Sequence, residues 1–214
     1  MHENNELHID KMTSKIIYRT LVQRIQKPPT SQVNYKNELN VLDTDWSNIY
    51  LMPFKASHDV RTRIFQYKIN LNCLMTNSRL FKMKIVDNVN CSLCSNFPET
   101  LKHIFWDCTY ATNIWDEFNM WFETNMNFIV VLDYKKILFG ICTGGDCSTL
   151  INLCLILIKK VIYDSRFHNR IPSFLAFKYL IKFHYKLEKQ ISITNNTMYK
   201  FIDKWTKLEK FCEE

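Results

Sequence analysis

Four side chains with metal-donor atoms fall within one short stretch, spaced Cys91-x2-Cys94-x8-His103-x4-Cys108. Zinc takes thiolate sulfur and imidazole nitrogen at about 2.0–2.3 Å in a tetrahedron. A Cys-x2-Cys turn offers two sulfurs from one backbone loop, and the residues after it offer an imidazole and a third sulfur. Three thiolates and one neutral imidazole fill the shell, so no position remains for an activated water. The chemistry implied is structural Zn2+, not catalysis. A redox Cys-x2-Cys would need a preceding strand in a βαβ setting, and none is apparent. Buried packing cysteines beside a core histidine are the blander alternative. In comparable peptides such a site contributes about 10–16 kcal/mol of apparent folding free energy.

The elements that must position these donors read as helices. Only 3 Gly and 5 Pro occur in 214 residues, which argues against turn-dense sheets and Gly-rich phosphate loops. The expected fold class is mainly α, a helical domain with an embedded Cys-Cys-His-Cys zinc knuckle. Pro98 and Glu99 suit the start of the helix that carries His103. His103 and Cys108 are five apart, and an ideal helix would splay them by about 140°. That helix is therefore expected to end or tighten between Phe105 and Cys108.

Around the knuckle, apolar spacing predicts helices over 14–25, from near Ser57 or Asp59, either of which could cap it, through residue 74, over 78–84, 109–122, 150–163 and 173–190, and a last one through Phe201, Trp205, Leu208 and Cys212. The tally is roughly seven. Val60, Ile64, Tyr67, Leu71 and Leu74 form one stripe expected to face the core. Three parts are expected within one compact unit: a basic 1–90, a knuckle with its following helix over 91–128, and a helical 129–214.

The run from Leu150 to Ile158 is too short to span a bilayer, and no secretory signal opens the sequence, so an intracellular place, cytoplasm or nucleus, is expected. The 8 cysteines should then stay reduced. Cys142 and Cys147 are a conceivable second metal pair with no evident partner ligand. No catalytic carboxylate pair or nucleophile–base pair stands out, so no enzyme activity is expected of the chain itself.

Net charge is +7, and its distribution is uneven. Residues 91–146 carry 3 Lys/Arg against 7 Asp/Glu, whereas residues 55–84 carry seven cations against Asp59 alone. Arg61, Arg63, Lys68, Arg79, Lys82 and Lys84, interleaved with aromatics, are candidate contacts to a phosphate backbone. Lysine ridges at Lys178, Lys182, Lys186 and Lys189, and at Lys200, Lys204 and Lys207, fit either a solvated face or a binding face. The alternative is a zinc-stabilised protein-interaction scaffold docking through Trp46, Trp106, Trp115 and Trp121.

The run Cys91-Ser92-Leu93-Cys94, Glu99-Thr100, His103-Ile104-Phe105-Trp106, Cys108 and Trp115 resembles the zinc-binding C-terminal region of reverse transcriptases from non-LTR (LINE-type) retrotransposons. Trp46-x2-Ile49-Tyr50-x2-Pro53-Phe54, Phe65-Gln66-Tyr67-Lys68-Ile69 and Thr76-Asn77-x2-Leu80 resemble the stretch N-terminal to that knuckle. Leu138-Phe139-Gly140-Ile141, Arg170-x-Pro172 and Phe201-x3-Trp205 resemble, more weakly, the stretch C-terminal to it. The resemblance implies a module that helps hold template RNA or target DNA during target-primed reverse transcription, next to the polymerase domain of a parent polyprotein. It carries ligand roles to Cys91, Cys94, His103 and Cys108 only. No Tyr-x-Asp-Asp-like pair is present, and Asp43 and Asp45 lack that context, so the chain is expected to be a fragment without polymerase or endonuclease.

Overall fold

The computed structural model describes residues 13–25, 27–141 and 148–213. Among these, eleven α-helical segments follow one another: α1 (Ser14–Ile25), α2 (Thr30–Leu39), α3 (Trp46–Ala56), α4 (Val60–Asn70), α5 (Asn77–Lys82), α6 (Thr109–Met126), α7 (Tyr134–Phe139), α8 (Ser148–Phe167), α9 (Phe174–Thr194), α10 (Met198–Trp205) and α11 (Glu209–Glu213). A π-helical turn, His103–Asp107, lies between α5 and α6. The only sheet-like pairing among the described residues is one bridge, Asn90 to Pro98. The mainly helical expectation holds. The tally of seven falls short because α2 is weakly amphipathic, α3 holds Pro53, α7 is only six residues long, and the final amphipathic stretch breaks into α10, a 3-10 turn and α11. Cys142 and Cys147, with the loop that holds them, lie outside the described residues.

α8 organises the core. Its apolar residues continue around the whole helix, as expected of a buried one, and it packs against α3, α4, α9, α10 and the π turn. Beside it, Phe118 and Trp121 of α6 meet Phe174 and Phe177 of α9 in edge-to-face contacts. Ring pairs of this kind contribute about 0.5–1.5 kcal/mol beyond area burial.

Caps set the boundaries as local chemistry dictates. Asp59 accepts the Thr62 N–H at 2.9 Å at the start of α4, and Asp133 accepts the Lys136 N–H at 2.8 Å at the start of α7. Gly140 then leaves α7 at φ +82°, where an added Cβ would come within 2.6 Å of Asn152 Oδ1. That close approach lets the Asn152 amide pair with both Ile141 N and Ile141 O, at 2.7 and 3.0 Å.

The part of the expected apolar stripe that lies on α4 faces outward, whereas Leu74, beyond the helix end, is buried as expected. Val60 is 61% exposed, Ile64 and Tyr67 are also exposed, and the inward residues are Thr62, Gln66, Ile69 and Asn70. The reason is a set of backbone carbonyls that only polar side chains satisfy. Pro53 inside α3 has no N–H for the Ile49 carbonyl, and Asn70 Nδ2 donates to that oxygen at 3.2 Å. Gln66 Nε2 donates to Leu138 O near the end of α7 at 2.7 Å. Lys159 of α8, wholly buried, donates to Gln66 Oε1 at 2.6 Å and to Leu138 O at 3.0 Å. Polar groups with partners are tolerated inside, and here they displace the apolar stripe.

The lysine ridges are partly consumed by the fold. The Lys204 side chain is only 10% exposed and pairs with Glu188 at 2.8 Å, and Lys189 pairs with Glu213 at 3.1 Å. Lys204 is therefore an internal cation rather than a member of an open ridge. His184 is buried on the inner face of α9 with Nδ1 unpartnered, and burial holds its pKa down.

Candidate metal centre

The donor atoms of Cys91, Cys94, His103 and Cys108 all lie within 4.8 Å of one another. A tetrahedron with zinc bond lengths has edges of about 3.3–3.8 Å, and the Cys94 Sγ to His103 Nε2 separation, 3.2 Å, is close to one such edge. Three of the four residues are buried and Cys94 is half-buried. The donor set is the soft, closed one that zinc prefers, and small side-chain rotations would complete the shell. These four residues would hold Zn2+, which supplies cross-linking of the loop to the turn behind it.

Local backbone chemistry builds the loop. Ser95 adopts a left-handed φ of 60°, and its N–H closes the turn onto Cys91 O at 2.9 Å. Cys91 N donates to Phe97 O at 2.8 Å, and Leu93 N points at Cys91 Sγ at 3.4 Å. The sulfurs of Cys91 and Cys108 are near enough to couple, one proton serving both, so the Cys91 thiol is held below its ordinary value while the Cys108 thiol is pushed up. Two sulfurs close enough to share one proton are close enough to share one cation.

The helix ends before Cys108 as expected, but it widens rather than tightens on the way. Residues 103–107 form a π turn, and Cys108 N donates to His103 O at 2.8 Å. An i to i+5 bond sets His103 and Cys108 nearly over one another, removing the splay that an α-helix would impose. The turn is tied to α6 by Trp115 Nε1, which donates to Phe105 O at 2.8 Å.

Glu99 plays a part that its sequence position hid. It was expected to favour a helix dipole, yet the helix starts two residues later and Glu99 is 0% exposed. Its carboxylate accepts Asn77 N at 2.8 Å and Ser92 N, inside the Cys-x2-Cys loop, at 2.9 Å. Arg166 of α8 brings Nε to 2.8 Å from Glu99 Oε1, a charge contact in which the Nε–H is not aligned on the oxygen. The same guanidinium donates to Met75 O at 2.5 Å and Asn77 Oδ1 at 3.1 Å. A buried carboxylate thus fastens the metal loop to α5 and α8. Nothing local marks Arg166, which lies far along the chain from the residue it meets.

Residues 13–115 match the model of a family described as zinc-binding in reverse transcriptase. This segment belongs to that family. The match holds the whole Cys-x2-Cys-x8-His-x4-Cys set and ends at Trp115, so the weaker resemblance expected around Leu138–Ile141 and Phe201–Trp205 lies beyond it. A comparison with curated proteins finds no match. Within the zinc-binding reverse-transcriptase segment, the metal loop is clamped by an arginine from outside the matched stretch.

The six cations singled out in sequence are split by the fold. Arg79 and Lys82 line a cleft beside the knuckle helix, together with Lys102. Lys84 follows α5 and is exposed. Arg61, Arg63 and Lys68 stand on α4; Arg63 lies over the Phe54 ring at 5.3 Å and donates to Ser57 O. None of the six forms an ion pair among the described residues. Trp46, Trp115 and Trp121 are buried and Trp106 is half-buried, so three of the four aromatics of the scaffold alternative face inward. Among the described residues no helix is long and apolar enough to cross a membrane.

Proposed function

We propose that this chain is a non-catalytic, zinc-stabilised accessory module of a non-LTR-type reverse transcriptase that binds nucleic acid, template RNA or target DNA. The zinc knuckle acts as a staple in this reading, and the neighbouring helices act as the binding surface. One observation carries the proposal. From α3 to just past α5 the exposed side chains include cations interleaved with rings: Arg61, Lys68, Lys82 and Lys84 among Phe54, Tyr67 and Phe81. The one carboxylate of that stretch, Asp59, is engaged in capping α4 and does not neutralise them. Cations that track a backbone next to rings on which bases stack are what single strands require. In the parent polyprotein the module would sit next to the polymerase domain.

A salt titration tests the reading. The zinc-loaded chain should bind a mixed-sequence RNA or single-stranded DNA with affinity that falls steeply as salt rises. Neutralising Arg61, Lys68 and Arg79 together should weaken binding of every sequence alike and flatten the slope. A chain that binds neither polymer at low salt with zinc present would return the protein to the scaffold alternative.

A further inference from the structure

Between α2, α5 and the knuckle helix lies a cleft of about 660 Å³, lined among others by Arg79, Lys82, Lys102, Ser78, Leu74 and Leu101. Three cations face one carboxylate there, Glu38, and none of the three forms an ion pair among the described residues. The Ser78 hydroxyl has no hydrogen-bond partner. The Arg79 guanidinium is oriented by donating to Asn72 O. Leu74 and Leu101, with the rings of Tyr35 and Tyr134, give the cleft an apolar floor. A polar cationic rim over an apolar floor, at a volume within the usual range for a ligand site, matches one or two nucleotides: phosphate at the rim, sugar or base below.

We infer that this cleft is where a single strand is gripped, the phosphodiester lying against Arg79, Lys82 and Lys102. A duplex keeps its bases inside the stack and cannot place one on the floor, so the cleft selects unpaired strand. Lys102 precedes the ligand His103, so one wall of the cleft is held in place by the same turn that would hold the metal. The inference rests on the nucleic-acid reading above and adds the site and the strandedness.

The experiment uses the full zinc-loaded chain and four fluorescent 12-nucleotide probes: mixed-sequence RNA, the same sequence as single-stranded DNA, and the duplex of each. Two double variants are compared, Lys82→Ala/Lys102→Ala at the cleft and Arg61→Ala/Lys68→Ala on α4; all four side chains are exposed, so neither pair disturbs the core. The parent should prefer the single strands over their duplexes. The cleft pair should lose about tenfold in single-strand affinity, with a salt slope shallower by roughly 1.4 for two lost phosphate contacts. If the cleft pair binds like the parent while the α4 pair weakens, nucleic-acid binding stands and the cleft assignment falls. Equal affinity for duplex and single strand overturns the strandedness, and a parent that binds no probe overturns both readings. The RNA and DNA arms show which sugar the cleft accepts.

Discussion

The knuckle and the bundle around α8 hold themselves together by different means. From Asn77 to Cys108 the chain has one short helix, one bridge and one π turn, and its order depends on donors aimed at a cation and on one buried carboxylate. Around α8 the order comes from apolar residues on long helices, with charges admitted only where carbonyls need them. A segment as small as the knuckle cannot bury enough surface to fold by itself, so metal and ion pair supplement the core that Leu101, Ile104 and Phe105 share with the bundle. The bundle has the core, and its internal polar groups cost stability while setting which helix faces which.

Removing the metal should separate the two regions most sharply. Chelation, or Cys108→Ser, should abolish the contribution of about 10–16 kcal/mol, unfolding the knuckle while the α8–α9 bundle keeps much of its helix. Metal analysis at one zinc per chain and far-UV dichroism before and after chelation check this.

The next largest effect belongs to the carboxylate that joins the regions. Glu99→Gln leaves Arg166 buried beside a neutral partner, and Arg166→Met leaves Glu99 without its cation. Each should destabilise by about 3–5 kcal/mol, and the double variant should recover part of the loss. Because Glu99 also holds Ser92 N, zinc affinity by competition with a chelator should drop in Glu99→Gln; an unchanged affinity would show the clamp to be independent of the loop.

Inside the bundle, Gly140→Ala should cost about 2–3 kcal/mol in chemical denaturation, since the residue sits at φ +82° with no room for a methyl against Asn152. Lys159 makes a prediction about pH. Burial holds its folded-state pKa well below the ordinary lysine value, so between the two the unfolded chain binds one more proton. Stability should rise with pH across that window by up to about 1.4 kcal/mol per unit. Lys159→Met should flatten the rise, while leaving Gln66 Oε1 buried without its donor. The smallest change falls on α4: Val60→Ser should shift stability by no more than about 0.5 kcal/mol, because that side chain faces solvent.

The donor spacing, the limits of α1, the cap at Asp59 and the aromatic face of α6 were all legible along the chain, because each depends on residues within a few positions of one another. The need to reconcile His103 with Cys108 was legible too, though the widening that answers it was not. What tertiary structure alone decided was the inward face of α4 and the partner of Glu99. Pro53, Gln66, Asn70, Leu138 and Lys159 come from four helices, and their hydrogen bonds exist only once those helices meet. Periodicity scores oiliness along one helix, but it does not see an orphan carbonyl on another, and a buried orphan costs more than an exposed valine.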